Sequence, residues 1–496
     1  MYCREKAPVK LRFFQIVLLF MLLLSGNCVF AIKDRPQELM TIEENAKLSI
    51  ADCLNIALHN NPTLQKYKYN WMIARQDLSI SKSAYFPTIG AEAGFSKFYG
   101  RTDGYSYSSK DFPSVGVTLQ ELIWDFGKTF ADINMNKFNV IVAKYAFEDM
   151  SWVKMYDVKV NYYKVLAAKA TVEVEGFNVK LNERNYQRVK AYFEEGIRSR
   201  IDLVNAEANL SDSKVKLIEA EKAYKEAVVA LNNTMYVMNA PDYELIETDS
   251  FNISAMTPPT NLLSTNYNDI SDNPSGIDDA LLASSVQQTD YMGGYKMPEF
   301  GYTFDECYDL ALQYRCDLQV LKQTVNVMKE SLKVIKRQYM PKLTGNLSYD
   351  YDRVNSINDN SFYVGLNLKT SLNPLKTKHE IDIGKIKVLR AQVEADNKAK
   401  DIYFDLQKYF VQMREYERQI PIMAAKVKQT MENLELADGR YAVGLSDYIE
   451  LQDARAKYNN AQINYILTVF NYNIAKTKVE QTTALPPNGM EPEDLK

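Results

Sequence analysis

The sequence predicts a mainly helical chain with a small membrane β-barrel component, a long coiled-coil helical barrel built from two tandem repeats. Each repeat runs helix, two strands, long helix, helix, so one chain carries four strands. Three observations predict this. A helix–turn–helix tip is written twice, as Phe193-Glu194-Glu195-Gly196-Ile197-Arg198-Ser199-Arg200-Ile201-Asp202 and as Tyr441-Ala442-Val443-Gly444-Leu445-Ser446-Asp447-Tyr448-Ile449-Glu450. The arms repeat too, since Cys53 to Cys307 and Pro87 to Pro341 are both 254 positions, and self-similarity at such a period means a duplicated architectural unit. Finally, apolar residues after each strand pair recur with the period of a coiled coil.

Taken in order, residues 1–31 read as a secretory signal peptide. Arg4, Lys6 and Lys10 precede an apolar run over 11–24, and Val29-Phe30-Ala31 offers a cleavage site. A retained anchor is the rival, though the run is shorter than the roughly 20 residues of a spanning helix. Cys28 raises lipidation, but Asn27 before it is a poor fit to the small residue such a site wants.

The first repeat is placed at 48–238. It opens with a helix over 48–84, ended by Pro87, after which the period changes from helical to alternating. Strands are predicted at about 88–98 and 113–121, with Ile89, Ala91, Ala93 and Phe95 on one face, and at about 342–352 and 362–371 in the second repeat. There Phe362, Val364, Leu366 and Leu368 oppose Tyr363, Gly365, Asn367 and Lys369. This is the alternation of an outer-membrane barrel wall, although soluble hairpins packed on a core would look similar. The loops 99–111 and 355–361 are polar, as exposed tips are.

Four strands cannot close a barrel, which needs about eight. Open edges in lipid leave unpaired backbone groups, so identical chains must complete the wall. Two copies would give eight strands and three would give twelve.

From Lys128 to Glu195 only Gly176 speaks against a helix, and a run of this length spans about 100 Å. Val158, Val165, Val172, Val179, Tyr186 and Phe193 recur every seven residues. In the second repeat, placed at 302–483, Ile402, Leu406, Tyr409, Met413, Tyr416, Ile420, Met423, Val427, Thr430 and Leu434 step by four and three, with Pro421 expected to kink the helix. The return helices, about 200–238 and 446–482, begin at Ser199 and Asp447, where Asp202 and Glu450 three residues on resemble capping partners. Gly196 and Gly444 supply the left-handed residue that closes each long helix. Residues 239–301 read as a linker or equatorial insertion and 484–496 as a disordered tail.

Composition excludes several function classes. A net charge of −4 carries no polyanion-binding signal, so no nucleic-acid partner is expected. Cys53, Cys307 and Cys316 are no disulfide framework; the first two occupy equivalent repeat positions and read as small buried residues, and the last two would lie on opposite sides of one helix. The two histidines, His59 and His379, stand apart from any second ligand, and there is no Gly-rich phosphate loop or nucleophile elbow. The chain is not read as an enzyme, and no metal or cofactor is expected. The alternative from another class is a secreted coiled-coil structural or adaptor protein without a pore.

With these residues in hand, the chain resembles the TolC family of outer-membrane channel-tunnel proteins over about 48–238 and 302–483. The carriers are the opening Leu48-Ser49-Ile50-Ala51-Asp52-Cys53, the Tyr85-Phe86-Pro87 and Tyr339-Met340-Pro341 approaches to the strands, Gln120 to Gly127 with Trp124 and Asp125, and Tyr441 to Gly444 with Asp453. The resemblance implies a homotrimer with a twelve-stranded barrel in outer-membrane lipid and a helical tunnel in the periplasm. Such a duct would carry efflux or type I secretion cargo from an inner-membrane pump of the RND, ABC or MFS class, through a periplasmic adaptor (membrane fusion) protein. It also implies a gate at the hairpin tips, with Asp202, Tyr441 and Asp453 on gate positions and Glu450 on an acidic constriction. Where the family places an arginine this chain has Ser446, so Arg198 and Arg200 of the other tip are the expected basic partners.

Overall fold

In the computed structural model the described residues are 39–100, 108–246, 300–354 and 357–485. The signal peptide, Cys28, most of the linker, the strand-loop residues 101–107 and 355–356 and nearly all of the tail lie outside them. The chain divides into two units, Met1–Thr41 and Ile42–Lys496, and the elements named here belong to the second.

Each repeat opens with a broken helix rather than the single one expected. α1 (Ile50–Asn60) and α2 (Pro62–Ser83) are separated at Asn61, and α5 (Phe304–Tyr314) and α6 (Cys316–Arg337) at Arg315. In the first repeat Pro62 explains the break, because the residue before proline is driven out of the helical region; Asn61 sits at φ −73°, ψ 114° and caps the Thr63 N–H at 2.9 Å. The second repeat has no proline there. Instead the Arg315 Nε is held by Asp317 at 2.9 Å and its Nη1 donates to the Thr482 carbonyl, which fixes the same extended residue by side-chain contacts. Cys307 and Cys316 therefore sit on different helices; Cys53 and Cys307 are fully buried free thiols and Cys316 is part-exposed.

Two short strands, β1 (Lys47–Leu48) and β4 (Glu244–Leu245), pair in parallel and tie the start of the first repeat to the segment after its return helix. The main sheet has the antiparallel order β2 (Thr88–Gly100), β3 (Ser108–Trp124), β5 (Lys342–Val354), β6 (Ile357–Lys369). The strands run further than the alternation suggests, and β6 begins at Ile357 because Val354 to Ile357 is still a ladder pair. Sequence-distant hairpins join at β3 and β5, with Val117 opposite Tyr349. Both edges, β2 and β6, are open.

The apolar stripe is clearest on β6, where Phe362, Val364, Leu366 and Leu368 share one face and are 66–71% exposed. Tyr85, Phe86, Trp124, Phe126 and Phe130 are exposed where the strands meet the helices, the position of an interfacial aromatic girdle. Among the described residues no helix is long and apolar enough to cross a membrane.

The helices form one layer four columns wide. The long helices α3 (Lys128–Glu194) and α7 (Pro374–Ala442) run its whole length. On the strand side the columns are α2, α3, α6 and α7; on the hairpin side the return helices α4 (Arg200–Met235) and α8 (Tyr448–Thr483) replace the short ones, giving α4, α3, α8 and α7. Ile402, Leu406, Met413, Ile420, Val427 and Leu434 of α7 are buried as the heptads predict, and the helix runs unbroken through Pro421. On α3 the seven-residue series is buried only at Val158 and Val165, and Phe193 is exposed. A strict seven-residue step drifts about 20° per heptad on a straight helix, and the packing neighbours of α3 change from α2 and α6 to α4 and α8. Below that change a polar seam of Glu175, Asn182 and Asn185 is buried instead.

Candidate gate at the helix-hairpin tips

Both tips close with the same backbone device. At the end of α3, Gly196 has φ +76°, its N–H donates to the Phe193 carbonyl at 3.0 Å, and Ile197 N–H donates to the Tyr192 carbonyl at 2.8 Å. At the end of α7, Gly444 has φ +77°, with Gly444 to Tyr441 at 3.2 Å and Leu445 to Arg440 at 2.9 Å. This paired closure needs a left-handed residue, so at both places glycine is required by conformation and not by space: a Cβ would meet nothing within 4 Å.

The helix starts that follow differ. Ser199 and Asp202 make a complete reciprocal cap, with Asp202 Oδ2 accepting from the Ser199 N–H at 3.3 Å and Oγ at 3.0 Å. Asp447 accepts the Glu450 N–H at 2.9 Å, but the Glu450 carboxylate does not return to the cap. It accepts from Arg440 Nη1 at 2.8 Å, across the turn and in solvent. Half of that expected capping pair is therefore replaced by an ion pair.

The two tips of one chain touch. Arg198 lies over the Tyr441 ring, 4.6 Å from its centre, and its Nη2 donates to the Tyr441 carbonyl at 3.3 Å. Tyr441 is fully buried, and its hydroxyl has no hydrogen-bond partner in the described structure. Burial pushes its phenol up, an effect that the Arg198 charge opposes. Its ring meets Tyr448 edge-on at 6.0 Å, and the Tyr448 oxygen is the reverse case, surrounded by the amide nitrogens of Asn185 at 3.3 Å, Asn209 at 3.1 Å and Gln452 at 2.5 Å.

Of the other residues singled out from sequence, Asp202 is occupied by its own cap, and Asp453 pairs with Lys457 at 2.6 Å along an exposed helix face. Arg200 is exposed at the start of α4, without an ion-pair partner among the described residues. Deeper between the hairpins, Asp438 Oδ1 accepts from Arg188 at 3.1 Å and from Arg455 at 3.3 Å. The sequence reading passed over Arg440, Asp438, Arg188 and Arg455. A hairpin rule finds part of this, because Tyr441 with Tyr448, Arg440 with Glu450 and Asp438 with Arg455 step outward from the Gly444 turn. Nothing local points to Arg188, which comes from the other hairpin.

Among the described residues no group of three or more His, Cys, Asp or Glu side chains could hold a metal ion. His59 contacts the neighbouring Asn60, and His379 is exposed. The arrangement at the tips can hold helix ends together and set the local field.

Comparison with known proteins bears on what such tips do. The family model described as outer membrane efflux protein matches residues 53–235 and 307–484, nearly the whole of both repeats. The alkaline protease secretion protein AprF of Pseudomonas aeruginosa is 22% identical over 204 residues, which span 41% of this chain and 42% of that relative's length. Among solved structures, the transmembrane channel CusC superposes with a TM-score of 0.69 at 13% identity, covering 90% of this chain and 96% of the other. The Campylobacter jejuni outer membrane channel CmeC gives 0.69 at 14%, covering 90% of both chains. The open state of the Neisseria gonorrhoeae MtrE outer membrane channel gives 0.65 at 15%, covering 90% and 94%. At these identities the structural likeness establishes the fold.

Proposed function

The chain belongs to the outer membrane efflux protein family, and from that premise we propose that it is an outer-membrane exit duct, conducting cargo from an inner-membrane pump across the periplasm. One observation carries the reading: a four-stranded sheet with both edges open and an exposed apolar stripe along one face, set on helices about 100 Å long. Such edges are intolerable in lipid unless other strands pair with them. Three copies supply twelve strands, and the outer columns of the helical layer offer matching surfaces. Ile201, Val204, Val215, Ile218 and Val229 of α4 are exposed on one side, and Phe404, Val411, Ile422 and Leu436 of α7 are exposed too.

The hairpin tips form the periplasmic mouth and its gate in this reading. Arg198 takes the place of the missing family arginine by clasping Tyr441, while Arg200 does not. Asp202, Glu450 and Asp453 line the constriction, and a periplasmic adaptor joins the tips to the pump. The relative named for alkaline protease secretion favours a secretion role beside efflux.

The test is fractionation followed by reconstitution. A duct sediments with outer membranes, needs detergent, migrates as a trimer after cross-linking and forms ion-conducting pores in a planar bilayer. Release of the chain by osmotic shock as a water-soluble species without pore activity would mean a periplasmic adaptor or filament instead.

A further inference from the structure

A small cavity lies between α3, α7 and α8, just above the tips, walled by Arg184, Asn185, Arg188, Asp438 and Arg455, with apolar side chains closing it. Two guanidinium groups, those of Arg188 and Arg455, share the one Asp438 carboxylate there. Arg455 is only 4% exposed, and after Nη2 reaches Asp438 its Nε and Nη1 have no partner. Burial draws the Arg455 pKa down, against the Asp438 charge, but an arginine keeps its proton in any protein environment. A positive charge is thus held out of water with two donors unused, which protein interiors rarely tolerate.

The neighbouring amide sharpens the argument. Asn185 Nδ2 faces the Tyr448 oxygen, as do two other amide nitrogens, while the Asn185 Oδ1 is buried and unpartnered. A phenol has one proton to donate as well as lone pairs to accept, and three donors leave that proton unused. The oxygen and nitrogen of an amide are interchangeable assignments. Exchanging them at Asn185 lets Oδ1 accept the Tyr448 proton and turns the NH₂ to the cavity side. Both orphans are then resolved, and the buried unpartnered atoms that remain beside the cavity, Arg455 Nε and Nη1, are donors.

We propose that this cavity binds one small monovalent inorganic anion of halide size, received by Arg455 Nε and Nη1 and the Asn185 amide, beside the Arg188 guanidinium. The room is that of about one water-sized particle, which admits chloride and excludes phosphate or a carboxylate ligand. A water molecule would satisfy the donors without balancing the charge. The anion would join the first hairpin, through Asn185 and Arg188, to the second, through Asp438 and Arg455. This inference rests on the packing of one chain and is independent of the duct reading.

The experiment uses the full chain in detergent, with sodium gluconate exchanged for sodium chloride at constant ionic strength and helix unfolding followed by circular dichroism. The unfolding midpoint of the wild type rises and saturates with chloride, and bromide substitutes for it. Crystals soaked in bromide give an anomalous peak beside Arg455. R455Q loses the chloride response. N185D brings its own carboxylate to Arg455 while still accepting from Tyr448, so its midpoint in gluconate matches or exceeds that of the wild type and does not respond to chloride; it decides the matter even if R455Q does not fold. A wild-type midpoint unchanged by chloride, an equal response in N185D, or a cavity holding only water or a carboxylate of a neighbouring copy would overturn the proposal.

Discussion

Arg198 of the first hairpin and Tyr441 of the second are joined twice, by a guanidinium 4.6 Å from the ring centre and by a hydrogen bond to the Tyr441 carbonyl. A partly desolvated cation–π contact contributes about 0.5–2 kcal/mol, repeated in every copy that surrounds a mouth. R198A therefore raises single-channel conductance in a planar bilayer, and R200A, which breaks no such contact, leaves it at the wild-type level. Equal conductance in both variants would remove Arg198 from the gate.

Tyr441 and Tyr448 touch through their rings yet differ at their hydroxyls. Leaving a buried polar group unsatisfied costs about 1–3 kcal/mol, so Y441F is neutral or stabilising in thermal unfolding. Y448F removes the common partner of Asn185, Asn209 and Gln452 and destabilises by a similar amount. If Y441F instead opens the channel, its hydroxyl is bonded to a neighbouring copy in the assembled protein.

The acidic groups at the tips are not bare. Glu450 is answered by Arg440 and Asp453 by Lys457, each pair exposed and hence weakly held. In the proposed gate, Asp202, Glu450 and Asp453 of the assembled copies would ring the mouth and favour cations, and R440Q and K457Q are expected to strengthen that preference. The readout is the reversal potential in a salt gradient, which moves toward the cation limit in the double variant. An anion-selective wild type would rule out an acidic constriction.

Asp149 of α3 sits half-buried beside Asp317, with Arg315 and Lys398 facing it. Burial first, and the Asp317 charge second, push its carboxyl up to about 6, from 3.8. The folded state then binds this proton more tightly than the unfolded state does, so the stability it contributes is complete below about 4 and is lost as pH rises to 6. Relative to D149N, the wild type gains at most about 3 kcal/mol on going from pH 7 to pH 4. Parallel midpoint-against-pH curves for the two proteins would show that Asp149 is not the group responsible.

Much of the fold was legible because it is written in local interactions. The left-handed glycines 196 and 444, the cap of Ser199 on Asp202 and the heptads of α7 depend on residues within a few positions of one another, and the duplication shows as the same local pattern written twice. The alternation on β6 marked its apolar stripe for the same reason. The α1–α2 break had a local signal in Pro62. The matching α5–α6 break has no proline, and Arg315 is fixed there by Asp317 two residues on together with the Thr482 carbonyl, far along the chain. The α3 heptads misled below Val165 because burial there depends on which helices lie alongside, and periodicity carries no such information.

At the tips the sequence by itself determined the turns, the caps and the stock of charged residues. The tertiary structure decided the pairings between hairpins, Arg198 with Tyr441 and Arg188 with Asp438. It also decided that β3 meets β5, which leaves β2 and β6 as the open edges. The physical reason is range. Backbone closure and capping act over three to five residues and are repeated wherever the same residues recur, whereas a salt bridge or a ring contact between hairpins exists only after more than 200 intervening residues have packed and brought its two ends together.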